Sequence, residues 1–375
     1  MHVFSALFQG GAESQLERII LASDSSVEHV VVSLKNIETP LVLRLRGYGV
    51  KVLMCDMRGP LSLTGVLRLR ALIKQQRCGD MILQCWMYHA NLITWLAAIG
   101  VSVPIFWNIR RSLPPNGITG FISKICGLVS RLSDVKIFCN SASGIECHVG
   151  SGYRRSAFIY APNGFDENKS SCDPGTIKEI GISRGDINVA CVGRYDPIKG
   201  HRFLIEAFSL LESRLSAESW SKLRLYFIGR DIEEAKDIRE ALDRYDLADK
   251  VEFLGERSDI SGLLRCFDIF CLPSLSEGFP NVLVEAMLAG LPCVATNVGD
   301  TEIILPSSDF LVEPRDTVLM AKKLGSLIEG GQAFRTGIGL ENKNAVLERY
   351  TMEKALACYS VNYLASIEKI SDNRI

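Results

Sequence analysis

Apolar residues along the chain fall into two alternating patterns. Short continuous apolar runs bounded by Gly, Pro, Asn or Asp are followed by stretches in which apolar residues recur at helical spacing. The runs read as buried strands: His2 to Phe8, His29 to Leu34, Val50 to Asp56, Met81 to Trp86, Pro104 to Ile109, Val135 to Asn140 and Ala157 to Tyr160. A turn is predicted at Ala161 to Gly164, and the polar stretch through Ser170, Ser171 and Gly175 reads as a linker. The alternation restarts at Asn188 to Gly193, Leu223 to Gly229, Val251 to Gly255, Asp268 to Pro273 and Pro292 to Asn297. Such alternation predicts an α/β protein with parallel sheets and crossover helices. Two doubly wound domains result, 1–165 and 166–350, facing each other across a central cleft. A length of 375 residues fits two domains, because single cores rarely grow beyond roughly 250–300 residues.

Charge adds an asymmetry that the pattern alone does not show. Through Phe165 there are 17 Lys and Arg against 9 Asp and Glu; the remainder has 25 against 34. The front half is therefore basic and the back half acidic, although the whole carries a net charge of −1. Between Asp80 and Asp134 there is no acidic residue, and within that span Gly117 to Leu132 reads as an amphipathic helix carrying Lys124 and Arg131. Such a helix suits an anionic membrane surface, and equally suits packing on its own domain. Nucleic acid is a poor partner for this charge, since no basic and aromatic interleaving accompanies it.

No stretch predicts a transmembrane helix: Leu92 to Trp107 is too short, is interrupted by Gly100 and Pro104, and divides better into a helix and a strand. The N-terminus lacks a charged region and a small-residue cleavage pattern, so a cytoplasmic location is expected. Twelve cysteines lie scattered, mostly in apolar runs and without a Cys-x-x-Cys pair. They read as reduced core thiols, not as a disulfide framework or zinc site.

Candidate chemistry gathers where predicted strands end. Asp268 to Pro273 is followed by Ser274 to Phe279, then by a helical pattern from Asn281 to Ala289. Glu277 falls in the loop and Glu285 one turn inside the helix, so both can face one ligand. Gly278 allows close backbone approach, and Pro280 suits the first turn, where a missing N–H costs nothing. The start of this helix aims amides outward, which favours a phosphate. Two carboxylates beside a diphosphate would repel it, so they are better matched to hydroxyls. A nucleotide sugar offers both. A glutamate in a first helical turn also serves the helix dipole on its own, so the pair needs its surroundings to carry that reading.

A second strand end supplies cations. Cys191 to His201 closes a buried strand and places Arg194 and Lys199 beside Gly193 and Gly200, where a guanidinium and an ammonium can hold a diphosphate and stabilise its charge as it leaves.

With Gly193-Arg194 through Lys199-Gly200 and Glu277 through Glu285 in hand, the chain resembles the retaining glycosyltransferases of the GT-B fold, family four, in the bacterial surface-polysaccharide group. The resemblance extends over nearly the whole chain. It implies that Arg194 and Lys199 bind the donor diphosphate, that Glu277 contacts the transferred sugar, that the backbone of Gly278, Phe279, Pro280, Asn281 and Val282 supports sugar and phosphate, and that Glu285 holds the ribose. It places the base near Gly229, Arg230, Glu256 and Arg257. It also implies that the last helical pattern, about 351–375, joins the front domain.

In the front half, Gly10-Gly11-Ala12-Glu13 follows the first strand and allows close approach to a phosphate or sugar. It is not a dinucleotide fingerprint, because the third glycine and the later acid are out of register. His89 sits just beyond another strand; a lone histidine is commonly structural, and the resemblance sets this one against the transferred sugar. Trp107 to Arg110 and Asn140-Ser141 are weaker strand-end candidates.

Without an Asp-x-Asp motif, charge neutralisation falls to Arg194, Lys199 and the helix start, and neither a metal nor a cofactor is expected. Nor is there an obvious nucleophile for a double displacement. The resulting expectation is front-face transfer of a hexose or N-acetylhexosamine, by analogy from a UDP-sugar, to a polyprenyl-diphosphate-linked saccharide acceptor at the inner face of the plasma membrane. The alternatives are a nucleotide-sugar epimerase on the same fold and a transferase that uses GDP-mannose.

Overall fold

The structure is a computed structural model. It describes residues 1–8, 10–59, 62–77, 79–113, 115–167, 180–183 and 185–372, so the expected linker through Ser170, Ser171 and Gly175 lies outside the described residues. The chain divides into two compact units: Met1–Phe165 with Met352–Ile375, and Asp166–Thr351.

In the first unit seven short strands form one parallel sheet. They are β1 (His2–Phe4), β2 (Val30–Ser33), β3 (Lys51–Met54), β4 (Leu83–Trp86), β5 (Ile105–Ile109), β6 (Lys136–Cys139) and β7 (Phe158–Tyr160), in the order β3-β2-β1-β4-β5-β6-β7. Alternate side chains feed two cores. Val3, Leu83, Cys85 and Trp107 pack under the helices Leu63–Gln75, Met87–Ala98 and Gly117–Leu132. Phe4, Trp86, Phe106 and Phe138 point the other way, against the helices Gly11–Ala22, Pro40–Gly47 and Met352–Asp372. Burial on both faces explains why these strands read as continuous apolar runs instead of alternating ones.

The second unit repeats the plan with six strands. These are β8 (Ile187–Val192), β9 (Leu223–Ile228), β10 (Val251–Phe253), β11 (Ile269–Leu272), β12 (Cys293–Thr296) and β13 (Leu311–Val312), ordered β10-β9-β8-β11-β12-β13 and parallel throughout. Both units are doubly wound and Rossmann-like, as the alternation predicts. In each, the order reverses beside the first strand, between β1 and β4 and between β8 and β11. Ligands of such sheets bind outside the carboxyl ends of the strands at these reversals.

Some local expectations change. β13 escaped the pattern because two residues are too short to give a period. The first strand ends at Phe4, not Phe8. Ala161 to Gly164 is no exposed turn: Asn163 is buried, and a Cβ on Gly164 would come within 2.8 Å of Met352 in the last helix. Buried Cys85, Cys126 and Cys191 are free thiols that burial pushes up to about 12, but Cys266 is disulfide-bonded, so uniformly reduced thiols is not the rule.

Helix Gly117–Leu132 packs one face on its own unit, but its outward face is not the weakly basic polar face expected of it. Ile122, Cys126 and Val129 are buried in the core of their own unit, whereas Ile118, Phe121, Leu128 and Leu132 are exposed together with Lys124 and Arg131. Among the described residues no helix is long and apolar enough to cross a membrane.

Candidate active site

At the reversal in the second unit, three strand-end loops are laced together by their backbones. Gly193 N–H donates to Ile228 O at 2.9 Å, Tyr195 N–H to Arg230 O at 2.9 Å, and Gly229 N–H to Gly255 O at 2.8 Å. Glycine is required at 229, where an added Cβ would stand 2.2 Å from Gly193 O. The lacing brings the Gly193-Arg194 loop next to Gly229 and Arg230, and Gly255 beside them carries Glu256 and Arg257. Arg230 pairs with Asp231 at 3.8 Å, Arg257 with Asp259 at 2.8 Å, and Glu256 is exposed.

After β8 the chain turns sharply. Asp196 accepts from Ile198 N–H at 3.2 Å and holds the Arg194 guanidinium at 3.1 Å, so Arg194 is tethered to its own loop and not to Glu277. The short turn Pro197–Lys199 ends at Gly200, whose φ of 71° lies in the left-handed region. A Cβ at Gly200 would stand 2.0 Å from Pro273 O, and Leu275 N–H donates to Ile198 O at 2.7 Å. These contacts clamp the loop after β8 against the loop after β11.

The clamp brings together two residues 78 positions apart in sequence: Lys199 Nζ lies 2.8 Å from Glu277 Oε1. The same oxygen accepts from Ser274 Oγ at 2.7 Å. Buried Ser274 is itself fixed by Thr296, whose Oγ1 donates to Ser274 O at 2.5 Å. The Glu277 side chain is only 11% exposed and Lys199 25%, so the pair is largely withdrawn from solvent screening. From the other side, Asp300 N–H donates to Gly278 O at 2.8 Å, and a Cβ on Gly299 would collide with Glu277 O and Gly278 O, both at 2.5 Å.

Immediately after, helix Asn281–Leu288 begins with Pro280 at its N-cap and no side chain capping it. Leu283 and Val284 N–H donate to Pro280 O at 3.1 and 3.4 Å, and this end of the helix carries the positive end of its dipole. Asn281, Val282 and Glu285 are half-buried at its start. Phe279 and Pro280 are buried, and the Phe279 ring packs edge-on to Tyr350 at 5.4 Å, which leaves Phe279 a packing side chain with only its backbone to offer a ligand. The site thus combines a positive turn, a fixed carboxylate and an uncapped helix start. That combination can take a ligand with both phosphate and hydroxyl groups.

The remaining candidates belong to the first unit, with Gly10, Gly11 and His89 following β1 and β4, the two strands at its own reversal. Gly10 caps helix Gly11–Ala22 after β1, and burial raises the Glu13 carboxyl, whose Oε2 lies 2.8 Å from where a Gly10 Cβ would stand. After β4 the chain enters a helix without a loop, at the expense of a left-handed Met87 with φ 69°. This abrupt turn sets His89 in the first helical turn beyond β4. Burial, then Lys35, lowers the His89 imidazole below its ordinary range, so it is neutral at pH 7. The weaker candidates are structural here: Trp107 and Asn108 are buried within β5, and Ser141 caps a helix by accepting from Gly144 N–H at 2.7 Å. Arg110 donates to Asn163, Asn108 and Tyr359 and stacks 5.5 Å over Trp86, tying the last helix to the sheet.

Gly200 stood in the sequence motif as the neighbour of Lys199, whereas Ser274, Asp196 and Gly299 were given no role by sequence. Ser274 and Asp196 had a signal only in lying in the same loops as Glu277 and Lys199. Among the described residues no group of three or more His, Cys, Asp or Glu is placed to hold a metal ion.

Comparison with known proteins now gives this architecture its class. Residues 186–330, most of the second unit, match the family model for "Glycosyl transferases group 1". The fold is GT-B: the Anabaena protein Alr3699/HepE, solved in complex with UDP, superposes with a TM-score of 0.83 at 19% identity over 97% of this chain and 99% of that one. Among curated relatives, the N-acetyl-alpha-D-glucosaminyl L-malate synthase of Bacillus anthracis is 28% identical over 50% of this chain and 47% of its own. The UDP-Gal:alpha-D-GlcNAc-diphosphoundecaprenol alpha-1,3-galactosyltransferase of Escherichia coli is 31% identical over 41% of each chain. The chain thus spans about half the length, or less, of these two relatives.

Proposed function

We propose that the chain is a retaining glycosyltransferase that moves a hexose or N-acetylhexosamine from a UDP-sugar to a lipid-linked saccharide. The observation that carries this reading is the Lys199–Glu277 contact beside the uncapped start of helix Asn281–Leu288, at the strand-order reversal of a domain matching the glycosyl transferases group 1 model. The Anabaena neighbour binds UDP, and the E. coli relative is named for a UDP-galactose donor and a diphosphoundecaprenol-linked acceptor. Both favour a uridine donor, and the second favours a lipid-linked acceptor.

In this scheme the diphosphate sits against Lys199, Arg194 and the helix start, which take up its charge as it leaves. Glu277 accepts hydrogen bonds from the sugar, Glu285 holds the ribose, and the backbone near Gly229, Arg230, Glu256 and Arg257 faces the base. The bond between the anomeric carbon and the β-phosphate oxygen breaks; the acceptor oxygen bonds to that carbon on the same face, and its proton passes to the departing phosphate. Configuration is retained without a covalent enzyme intermediate or a metal.

Thermal unfolding in the presence of UDP-glucose, UDP-galactose, UDP-N-acetylglucosamine and GDP-mannose tests the donor class. A UDP-sugar at about 100 times its Kd is expected to stabilise by about 2.7 kcal/mol, and to release UDP only when acceptor is added. Conversion of the sugar without acceptor would make the chain an epimerase, and a response confined to GDP-mannose would overturn the uridine assignment.

The exposed Ile118, Phe121, Leu128 and Leu132, flanked by Lys124 and Arg131 with no acid between Asp80 and Asp134, suit docking on the cytoplasmic face of an anionic membrane. Binding to vesicles containing phosphatidylglycerol is expected to weaken as salt rises, and Phe121→Asp should weaken it at low salt. Equal sedimentation with neutral and anionic vesicles would refute docking through this face.

A further inference from the structure

The Glu277 carboxylate is held unevenly. An ionised carboxylate has about four acceptor sites, two on each oxygen. Lys199 Nζ at 2.8 Å and Ser274 Oγ at 2.7 Å both donate to Oε1. Oε2 takes no hydrogen bond among the described residues, and it is not sealed from solvent as a buried unpartnered atom would be. One oxygen is therefore pinned from two loops, and the other is open to a donor.

The two contacts that pin Oε1 differ in kind. Lys199 carries its ammonium on a flexible four-carbon stem, and a diphosphate at the site competes with Glu277 for it. Ser274 has no such alternative partner. Its side chain is buried, its hydroxyl donates to Glu277, and its carbonyl accepts from Thr296 Oγ1 at 2.5 Å. Thr296 is itself buried and is the last residue of β12, the strand paired with β11. The serine is thus anchored to the sheet, whereas the lysine sits in a turn. The terminal torsion of a glutamate is broad, so the carboxylate plane is set by its hydrogen bonds and not by its own rotamer. When a diphosphate draws Lys199 away, Ser274 is the contact that still sets that plane.

Resting on the glycosyl-transfer reading, we infer that Ser274 is a positioning residue for the transferred sugar. Its hydroxyl keeps Glu277 Oε1 occupied while the donor engages Lys199, and so presents Oε2 to a sugar hydroxyl. Thr296 ties this orientation to β12. The nucleotide does not pass through this contact, so Ser274 acts on the sugar and not on UDP.

Calorimetric titration of the full chain with UDP, UDP-glucose, UDP-galactose and UDP-N-acetylglucosamine needs no acceptor, and the sugar nucleotide that binds the wild type most tightly is carried forward. The readout is the ratio of its Kd to the Kd for UDP, measured below the Tm of each variant. Ser274→Ala is expected to raise this ratio about 10-fold, as loss of a hydrogen bond to a charged group implies, with the Kd for UDP unchanged. Ser274→Cys fills nearly the same space with a much weaker donor and should raise the ratio nearly as far. In a Glu277→Ala background, Ser274→Ala should add less than about 2-fold, because the two residues act as one unit. A bracing serine would instead lower Tm and weaken UDP and the sugar nucleotide alike. That result, a wild-type ratio in Ser274→Cys, or full additivity with Glu277→Ala would each overturn the role of Ser274. If Glu277→Ala raises the ratio and Ser274→Ala does not, the role of Ser274 falls and the glycosyl-transfer reading stands. If none of the three sugar nucleotides binds the wild type, that reading falls and the role of Ser274 falls with it.

Discussion

Glu277→Gln is expected to lower kcat for sugar transfer by about 10²–10³-fold while leaving UDP binding intact or tighter. The amide keeps the shape of the side chain and can still accept from Ser274 Oγ, but it loses the charge that holds Lys199 at 2.8 Å. Freed from that contact, the ammonium is available to the diphosphate, so nucleotide affinity does not fall with turnover. A glutamate that only braced the loop would behave in the opposite way: Gln would cost stability, and each folded molecule would transfer sugar normally. Measuring kcat, the Kd for UDP and Tm on the same preparation separates the two cases. Wild-type turnover at unchanged Tm would remove Glu277 from the reaction.

Gly200→Ala is expected to destabilise the second unit by about 3 kcal/mol, from the left-handed backbone and the overpacking together. The position has φ 71°, and a Cβ there would meet Pro273 O at 2.0 Å, a carbonyl that sits on β11's exit and cannot swing aside as a side chain could. For a domain of this size the loss corresponds to a fall in Tm of roughly 6–12 °C, read by calorimetry. The relaxation that accommodates the methyl group separates the loops after β8 and β11, and so moves Lys199 away from Glu277. Transfer should therefore drop even at temperatures where the variant is folded. A variant with unchanged Tm and activity would show that the clamp does not set the geometry of the pair.

Much of the fold was legible because strands buried on both faces leave uninterrupted apolar runs. Val30–Ser33, Ile187–Val192 and Ile269–Leu272 stand out without any alignment. β13 was not legible, since Leu311–Val312 carries no period and is recognised only by its pairing with β12. For the site, sequence marks which residues lie at strand ends but not which strands are neighbours. Lys199 and Glu277 become partners only because β11 inserts beside β8, a matter of strand order. Ser274 escaped notice because a serine three residues before an acid has no meaning until its hydroxyl is seen to point at it. Conversely, Asn163-Gly164 looked like a turn because Asn and Gly favour turns wherever they occur; only its packing against Met352 reveals a buried crossing.

The return of helix Met352–Asp372 to the first unit also dictates an order of events during synthesis. Phe4, Phe106 and Phe138 form one face of the first sheet, and Met352, Ala355 and Tyr359 are part of what covers them. Those covering residues emerge after the whole second unit, about 200 residues later, which at ~5–20 residues per second is roughly 10–40 s. For that interval the first sheet waits with aromatic surface uncovered while the second unit, continuous in sequence, can complete its own core. The half that is made first is the half that is finished last.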